Sequence, residues 1–315
     1  MSLKTEPGLQ VDLAPHRKGG LRLRNPVMIA SGPFGYTMEK IAEVQRLGAV
    51  VCKGTTLLPR SGNPHPRLQE TTSGLLNAVG LENPGIHIVI NEYAPLWATW
   101  QTPVIVNIAG ENIDEFVELA GLLEGVKGID GIELNISCPN VRAGGAIFGD
   151  NPQVVADVTV AVRRVTTLPL IVKLSPNTAD LRPIALAAAS SGADAISLIN
   201  TITGMGIDIQ ACRPTLAHGT GGLSGPAIKP IALRMVYEVA CELRSLYPQV
   251  PVIGIGGIST AYDALEFLMA GASAIEIGTA NFANPRAGVE ILEGIEEFLR
   301  REGMRDIAEI VGAAF

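Results

Sequence analysis

Gly131-Ile-Glu-Leu-Asn-Ile136, followed at once by Ser137-Cys-Pro-Asn-Val141, is the stretch from which the rest of the chain can be read. An apolar run of strand length meets a proline and then a glycine-rich segment, Arg142 to Gly149. Proline cannot donate to a strand ladder, so the strand stops, and a strand end that opens into a loop is where a scaffold presents reactive groups. Seven other short runs have the same character: Val27 to Ala30, Val50 to Lys53, Val104 to Ile108, Leu170 to Leu174, Ala195 to Ile199, Val252 to Ile255 and Ala274 to Ile277. Between them lie helix-like patterns at Met38 to Leu47, Ile113 to Leu123, Pro152 to Val165, Leu181 to Ala189, Ile228 to Leu246, Ala261 to Met269 and Ala287 to Arg300. Runs apolar on both faces that alternate with amphipathic helices imply parallel strands covered by helices, and eight such units close into a barrel. The expectation is an α/β chain forming one (β/α)8 TIM barrel domain over 1–315, with a catalytic loop at about 138–150.

Composition agrees with a single large core. The chain has 315 residues, 47% hydrophobic and 17% charged, enough to bury a barrel interior and its outer shell. A formal net charge of -7 offers no basic face to a phosphate backbone, which disfavours a nucleic-acid partner. Cys52, Cys138, Cys212 and Cys241 are far apart and have no metal-ligand spacing, so reduced thiols in the cytoplasm are expected, without a zinc or iron–sulfur site in this chain. Met1 to Gly20 lacks an apolar signal core, and Tyr93 to Gly110 is broken by Pro95 and Pro103, so neither export nor a membrane span is expected.

Polar residues fall at the carboxyl ends of the runs, the face on which barrel enzymes assemble their sites. Ser31 follows the first run, Lys53 ends the second, Asn107 the third, Asn135 the fourth and Lys173 the fifth; Asn200 and Thr201 follow the sixth. The last two end in Gly256-Gly257 and Gly278-Thr279, a pair of turns that resembles the barrel phosphate site. Lysines converging on a water-poor mouth need anionic partners, such as a carboxylate or a flavin that becomes anionic on reduction. Cys138, between Asn135 and Asn140, is the candidate catalytic residue. His16, His65, His87 and His218 read as surface or structural, and Trp97 and Trp100 as core or interface.

Six segments, in order and over nearly the whole chain, resemble the dihydroorotate dehydrogenase family. They are Asn25-Pro-Val-Met-Ile-Ala-Ser-Gly32, Lys53-Gly-Thr-Thr56, Asn77-Ala-Val-Gly-Leu-Glu-Asn83, Asn135-Ile-Ser-Cys-Pro-Asn140, Asn200-Thr-Ile-Thr-Gly-Met-Gly-Ile-Asp208 and Gly222-Leu-Ser-Gly-Pro-Ala-Ile-Lys-Pro230. The loop cysteine resembles class 1 of the family; class 2 carries serine there and a membrane-associating N-terminal extension, and neither feature is seen. The fifth and sixth segments are most similar to subclass 1B, the NAD-linked form.

This resemblance implies FMN-dependent oxidation of dihydroorotate to orotate in pyrimidine synthesis. It places one FMN against Ser31, Lys53, Gly54, Asn107, Asn135, Lys173, Ile199, Gly225, Gly256, Gly257, Gly278 and Thr279. The pyrimidine would meet Lys53, Asn77, Ala78, Val79, Gly80, Leu81, Asn135, Asn140, Asn200 and Thr201. Gly54 and Gly206 stand where the family often has alanine, and neither change removes a reacting group. Cys138 would be the base that removes the C5 proton, Lys173 would stabilise charge at the flavin N1 and O2 edge, and Lys53 would hold the substrate carboxylate. A thiol of pKa ~8.5 must partly ionise to act, so activity should rise toward alkaline pH. The resemblance further implies a barrel homodimer within a heterotetramer, whose other subunit carries FAD and an iron–sulfur cluster and reduces NAD. This chain shows neither a dinucleotide fingerprint nor clustered cysteines of its own. A fumarate-linked 1A enzyme, another flavin-dependent pyrimidine reductase, and a phosphate-ligand-binding barrel without turnover stay open as alternatives.

Overall fold

The computed structural model describes residues 6–33, 35–37, 43–136, 142–143 and 146–315. Eight parallel strands close into a barrel: β1 Val27–Ile29, β2 Ala49–Val51, β3 Val104–Ile108, β4 Gly131–Asn135, β5 Leu170–Lys173, β6 Ala195–Leu198, β7 Val252–Ile255 and β8 Ala272–Ile277. Each pairs with its sequence neighbours, and β8 returns to β1 through Ile275 with Val27 and Glu276 with Met28. All eight runs expected from the sequence are therefore barrel strands.

Among the described residues, six helices of nine residues or more cover the outside: α1 Ile113–Leu123, α2 Pro152–Arg163, α3 Arg182–Ser190, α4 Lys229–Leu246, α5 Ala261–Met269 and α6 Ala287–Glu302. Their ends follow from local chemistry. Asn112 and Asn151 cap α1 and α2 by accepting from Glu115 N and Gln153 N, and Thr260 and Asp263 close a capping box on α5. The expected helix at Met38 to Leu47 lies partly outside the described residues, and within them only a 3-10 turn, Val44–Arg46, is formed. A helical segment over 86–97, between β2 and β3, was not anticipated; it buries Ile86, Val89, Ala94 and Trp97.

Strand alternation sorts the core into two regions. Val27, Ile29, Val50, Val104, Val106, Ile132, Leu134 and Val172 face outward into the helices. Met28, Ala49, Val51, Ile105, Ile171, Ala195, Ile253 and Ala274 face inward and form a separate cluster with Leu13, Leu21 and Leu23. Those leucines come from the N-terminal hairpin, Val11–Asp12 paired with Arg22–Leu23, which plugs the amino-terminal end of the barrel. The plug is held by Asp194, fully buried just before β6, which accepts from His16 Nε2 at 2.7 Å, Arg163 Nη1 at 3.1 Å and Leu170 N at 2.8 Å as well as from Arg17.

At the carboxyl end, two long excursions, 54–85 after β2 and 200–225 after β6, contribute a four-stranded antiparallel sheet. Its order is Ile202–Met205, Thr220–Ser224, Gly74–Asn77, Leu68–Thr71, with Gly222 opposite Asn77. After β4, Arg142–Ala143 pairs antiparallel with Ala146–Ile147, and Phe148–Asp150 forms a 3-10 turn.

Candidate active site

Between the carboxyl ends of the strands and the four-stranded sheet lies a cavity of about 550 Å³. Every expected cofactor residue lines it: Ser31, Lys53, Gly54, Asn107, Asn135, Lys173, Ile199, Gly225, Gly256, Gly257, Gly278 and Thr279. So do Asn77, Ala78, Val79, Gly80, Leu81, Asn200 and Thr201, which the pyrimidine was expected to meet. Cys138 and Asn140 lie outside the described residues. The convergence follows from the fold, because the strand ends form the floor while the two excursions bring their segments over it.

The floor is polar although its strands are apolar runs, because the second inward position of several strands carries a polar group. Asn107, Glu133, Lys173, Ser197 and Glu276 enter the interior above the apolar cluster. Glu133 accepts from Asn107 Nδ2 at 2.6 Å, Ser197 Oγ at 2.9 Å and Lys173 Nζ at 3.3 Å, and Lys173 also reaches Glu276 Oε2 at 3.1 Å. Burial pushes the Lys173 ammonium down, but the two carboxylates outweigh it and hold the group above its ordinary value. The anionic partners expected for Lys173 thus come from within the chain, and the lysine still borders the cavity.

Lys53 differs. It is half-buried at the end of β2, and among the described residues no carboxylate makes an ion pair with it. Burial lowers its pKa, with Glu82 opposing and Arg67 adding to the shift. A cation so placed stabilises an anionic ligand that reaches the same pocket. Around it, Asn200 Nδ2 donates to Asn135 Oδ1 at 3.4 Å, Thr201 N to Asn200 Oδ1 at 2.8 Å, and Asn77 Nδ2 to Gly222 O at 3.2 Å. This makes one wall of fixed amides able to read a polar heterocycle.

The glycine turns border the same cavity. Gly225, Gly256 and Gly257 have φ of 89°, 133° and 75°, which favour glycine. A Cβ on Gly257 would lie 2.8 Å from Gly225 O and 3.0 Å from Lys229 N, so two backbone turns approach as closely as they can. Thr279 Oγ1 donates to Ser224 Oγ at 2.8 Å across the same corner. Ser175 and Asn177, just past β5, also line the cavity and have no distinctive neighbour in the sequence; Ser224 lines it too, as does the exposed His218, which the sequence reads as surface or structural. His16, read as surface or structural, contacts Asp194 from the plug beside Arg17, and Trp97, read as core or interface, is core.

The family model described as dihydroorotate dehydrogenase matches residues 16–299. The chain belongs to the dihydroorotate dehydrogenase family. It is 51% identical over 310 residues, 98% of each chain, to a protein of Geotalea daltonii named "Dihydroorotate dehydrogenase B (NAD(+)), catalytic subunit". It is 52% identical to the same-named protein of Pelobacter propionicus, over 98% of this chain and 99% of the relative. For the same-named protein of Alkaliphilus oremlandii the figures are 53%, 93% and 96%. A solved Eimeria tenella dihydroorotate dehydrogenase in complex with ferulenol superposes with a TM-score of 0.80 over 100% of this chain and 90% of that one, at 22% identity. That likeness shows the TIM-barrel fold.

The dihydroorotate dehydrogenase family is flavin-dependent, and the cavity fits such a group in three respects. Asn107 Oδ1, buried in the floor, has no hydrogen-bond partner among the described residues. A Cβ on Gly54 would stand 3.0 Å from that oxygen, so the glycine keeps the floor open there. The Gly225 and Gly257 turns leave backbone, rather than side chains, facing one end of the cavity, as a phosphate requires. Among the described residues no helix is long and apolar enough to cross a membrane.

Proposed function

We propose that this chain is the catalytic subunit of an NAD-linked dihydroorotate dehydrogenase, which oxidises dihydroorotate to orotate in pyrimidine synthesis in the cytoplasm. The observation that carries this reading is the cavity itself: a cation that no carboxylate ion-pairs among the described residues, a wall of amides and a glycine-built anion corner in one space, in a chain about half identical to enzymes of that name. FMN, when bound, accepts the two electrons and the hydrogen that leave C6 of the dihydropyrimidine. Gly225, Gly256, Gly257, Gly278 and Thr279 would hold its phosphate, and Ser31, Gly54, Asn107, Lys173 and Ile199 its ring and chain. Lys53 binds the substrate carboxylate, while Asn77, Asn135, Asn200 and Thr201 orient the pyrimidine ring through its amide edges. Leu81 and its neighbours exclude water from the ring face. Cys138 takes the C5 proton, which is acidified by the adjacent C4 carbonyl, and Asn140 is a further contact to the pyrimidine.

The barrel has no recognisable dinucleotide fingerprint. Electrons therefore leave through a second subunit with FAD and an iron–sulfur cluster, docked on a dimer of this chain. The purified protein is expected to show a flavin spectrum that bleaches anaerobically on adding dihydroorotate. It should reduce artificial dyes alone but NAD only with the partner added. A colourless protein that cannot be reconstituted with FMN refutes the reading, and efficient turnover with fumarate moves it to the 1A form.

A further inference from the structure

Two carboxylates and one ammonium share the barrel floor, contributed by Glu133 on β4, Lys173 on β5 and Glu276 on β8. Their side chains are 0%, 4% and 0% exposed. With all three ionised the group carries a surplus negative charge away from water, which is costly. The bonding shows where that charge is relieved. Glu133 is fed by three donors, Asn107, Ser197 and Lys173. Glu276 accepts one hydrogen bond, through Oε2, and its buried Oε1 receives none among the described residues. Three donors stabilise an anion, whereas a carboxyl with one donor and a bare oxygen is the better place for a proton.

We propose that Glu276 is a positioning residue that retains its proton at neutral pH, so that the Glu133–Lys173–Glu276 group is neutral overall and Lys173 faces the cofactor without a surplus carboxylate behind it. Burial, reinforced by the neighbouring Glu133, pushes the Glu276 carboxyl well above the usual carboxylate range, with Lys173 opposing. The other groups around it do not supply the proton's role. Met28 on β1 and Ile255 on β7 are apolar, and Asn107 on β3 and Ser197 on β6 are uncharged. Cys52, after β2, is pushed up to about 12 by burial, and Lys53 forms no ion pair with either glutamate.

The consequence for the flavin rests on the proposed function, in that the ring must lie over Lys173. Negative charge gained there on reduction makes ionising Glu276 harder still. Over the pH range in which Glu276 ionises in the oxidised protein but not in the reduced one, reduction takes up one extra proton.

The test has two arms, both on the protein as purified. In the infrared, wild type at pH 7 should show a buried protonated carboxyl band that disappears in one step at alkaline pH and is missing from Glu276→Gln. The wild-type titration needs no variant, so a misfolded substitution does not spoil it. In flavin potentiometry, wild type and Glu276→Gln should coincide at acid pH, and wild type should fall below the variant as pH rises. Absence of the wild-type band at pH 7 overturns the proposal. A band with parallel potentials at every pH overturns the link from the floor to the flavin. A protein that retains no flavin overturns the proposed function instead, and the infrared arm still decides the state of Glu276.

Discussion

Replacing Lys53 by Met keeps most of the stem that packs along the mouth and removes the ammonium. In the proposed complex this cation meets the orotate carboxylate in a half-buried site where, among the described residues, no carboxylate forms an ion pair with it. A hydrogen bond to a charged group contributes about 1.5–3 kcal/mol net. At about 1.4 kcal/mol per tenfold, Lys53→Met should weaken orotate binding by roughly 10- to 100-fold while FMN stays bound. The titration is read from the perturbation of flavin absorbance, or by calorimetry. Because burial lowers the Lys53 pKa, the free site loses its charge below the ordinary lysine range. Wild-type affinity should therefore fall as pH rises through that depressed value, orotate binding should take up protons there, and the variant should lack this limb. Parent-like orotate affinity in Lys53→Met, with an unchanged alkaline limb, refutes the assignment of Lys53 to the substrate carboxylate.

Three further outcomes are expected. Cys138→Ser should keep FMN and orotate but slow anaerobic flavin bleaching by dihydroorotate by about 10²- to 10⁴-fold at neutral pH, the usual contribution of a positioned base; stopped-flow bleaching at the parent rate would remove Cys138 from the mechanism. Gly257→Ala forces a left-handed alanine, costing roughly 1–2 kcal/mol, and drives a Cβ to 2.8 Å from Gly225 O. It should release FMN on gel filtration while circular dichroism stays native, and full retention would count against the anion corner. Asp194→Asn breaks a buried ion-pair cluster and leaves His16, Arg17 and Arg163 without their carboxylate. A loss of roughly 3–5 kcal/mol in urea unfolding is expected, and a loss under about 1 kcal/mol would show that the plug is held by its leucines alone.

The eight strands could be read because β-branched runs of fixed length, separated by helical periodicity, are a local signal, and the strand-end residues inherited their placement from it. Other features have no local signal. The 86–97 segment carries Pro95 and few charges, so it lacks the polar stripe that marks a surface helix. Thr220–Ser224 reads Thr-Gly-Gly-Leu-Ser, a poor strand by propensity, and it is ordered by pairing with Gly74–Asn77. Glu133 and Glu276 were concealed inside runs taken as apolar on both faces, although inside a closed barrel one face is a private interior that can hold a charge cluster. Lys173 was visible as a cation needing a partner, but its partners lie 40 and 103 residues away, beyond what spacing can reveal. The glycines at 225, 256 and 257 could be noticed, whereas their mutual approach belongs to the tertiary structure alone.

The sheet over the mouth joins two excursions through contacts such as Asn77 to Gly222, 145 residues apart. Contacts of such separation form late, after chain closure has been achieved elsewhere. The wall that would recognise the substrate should accordingly be the last part of the molecule to assemble and the first to open under mild denaturant. Neither excursion can be transplanted or shortened by itself, because each is the other's pairing edge, and a barrel refitted with one foreign loop would expose an unpaired strand to its neighbours in solution. Changes in ligand preference along this lineage would then have to arise as paired substitutions on two distant stretches of the gene.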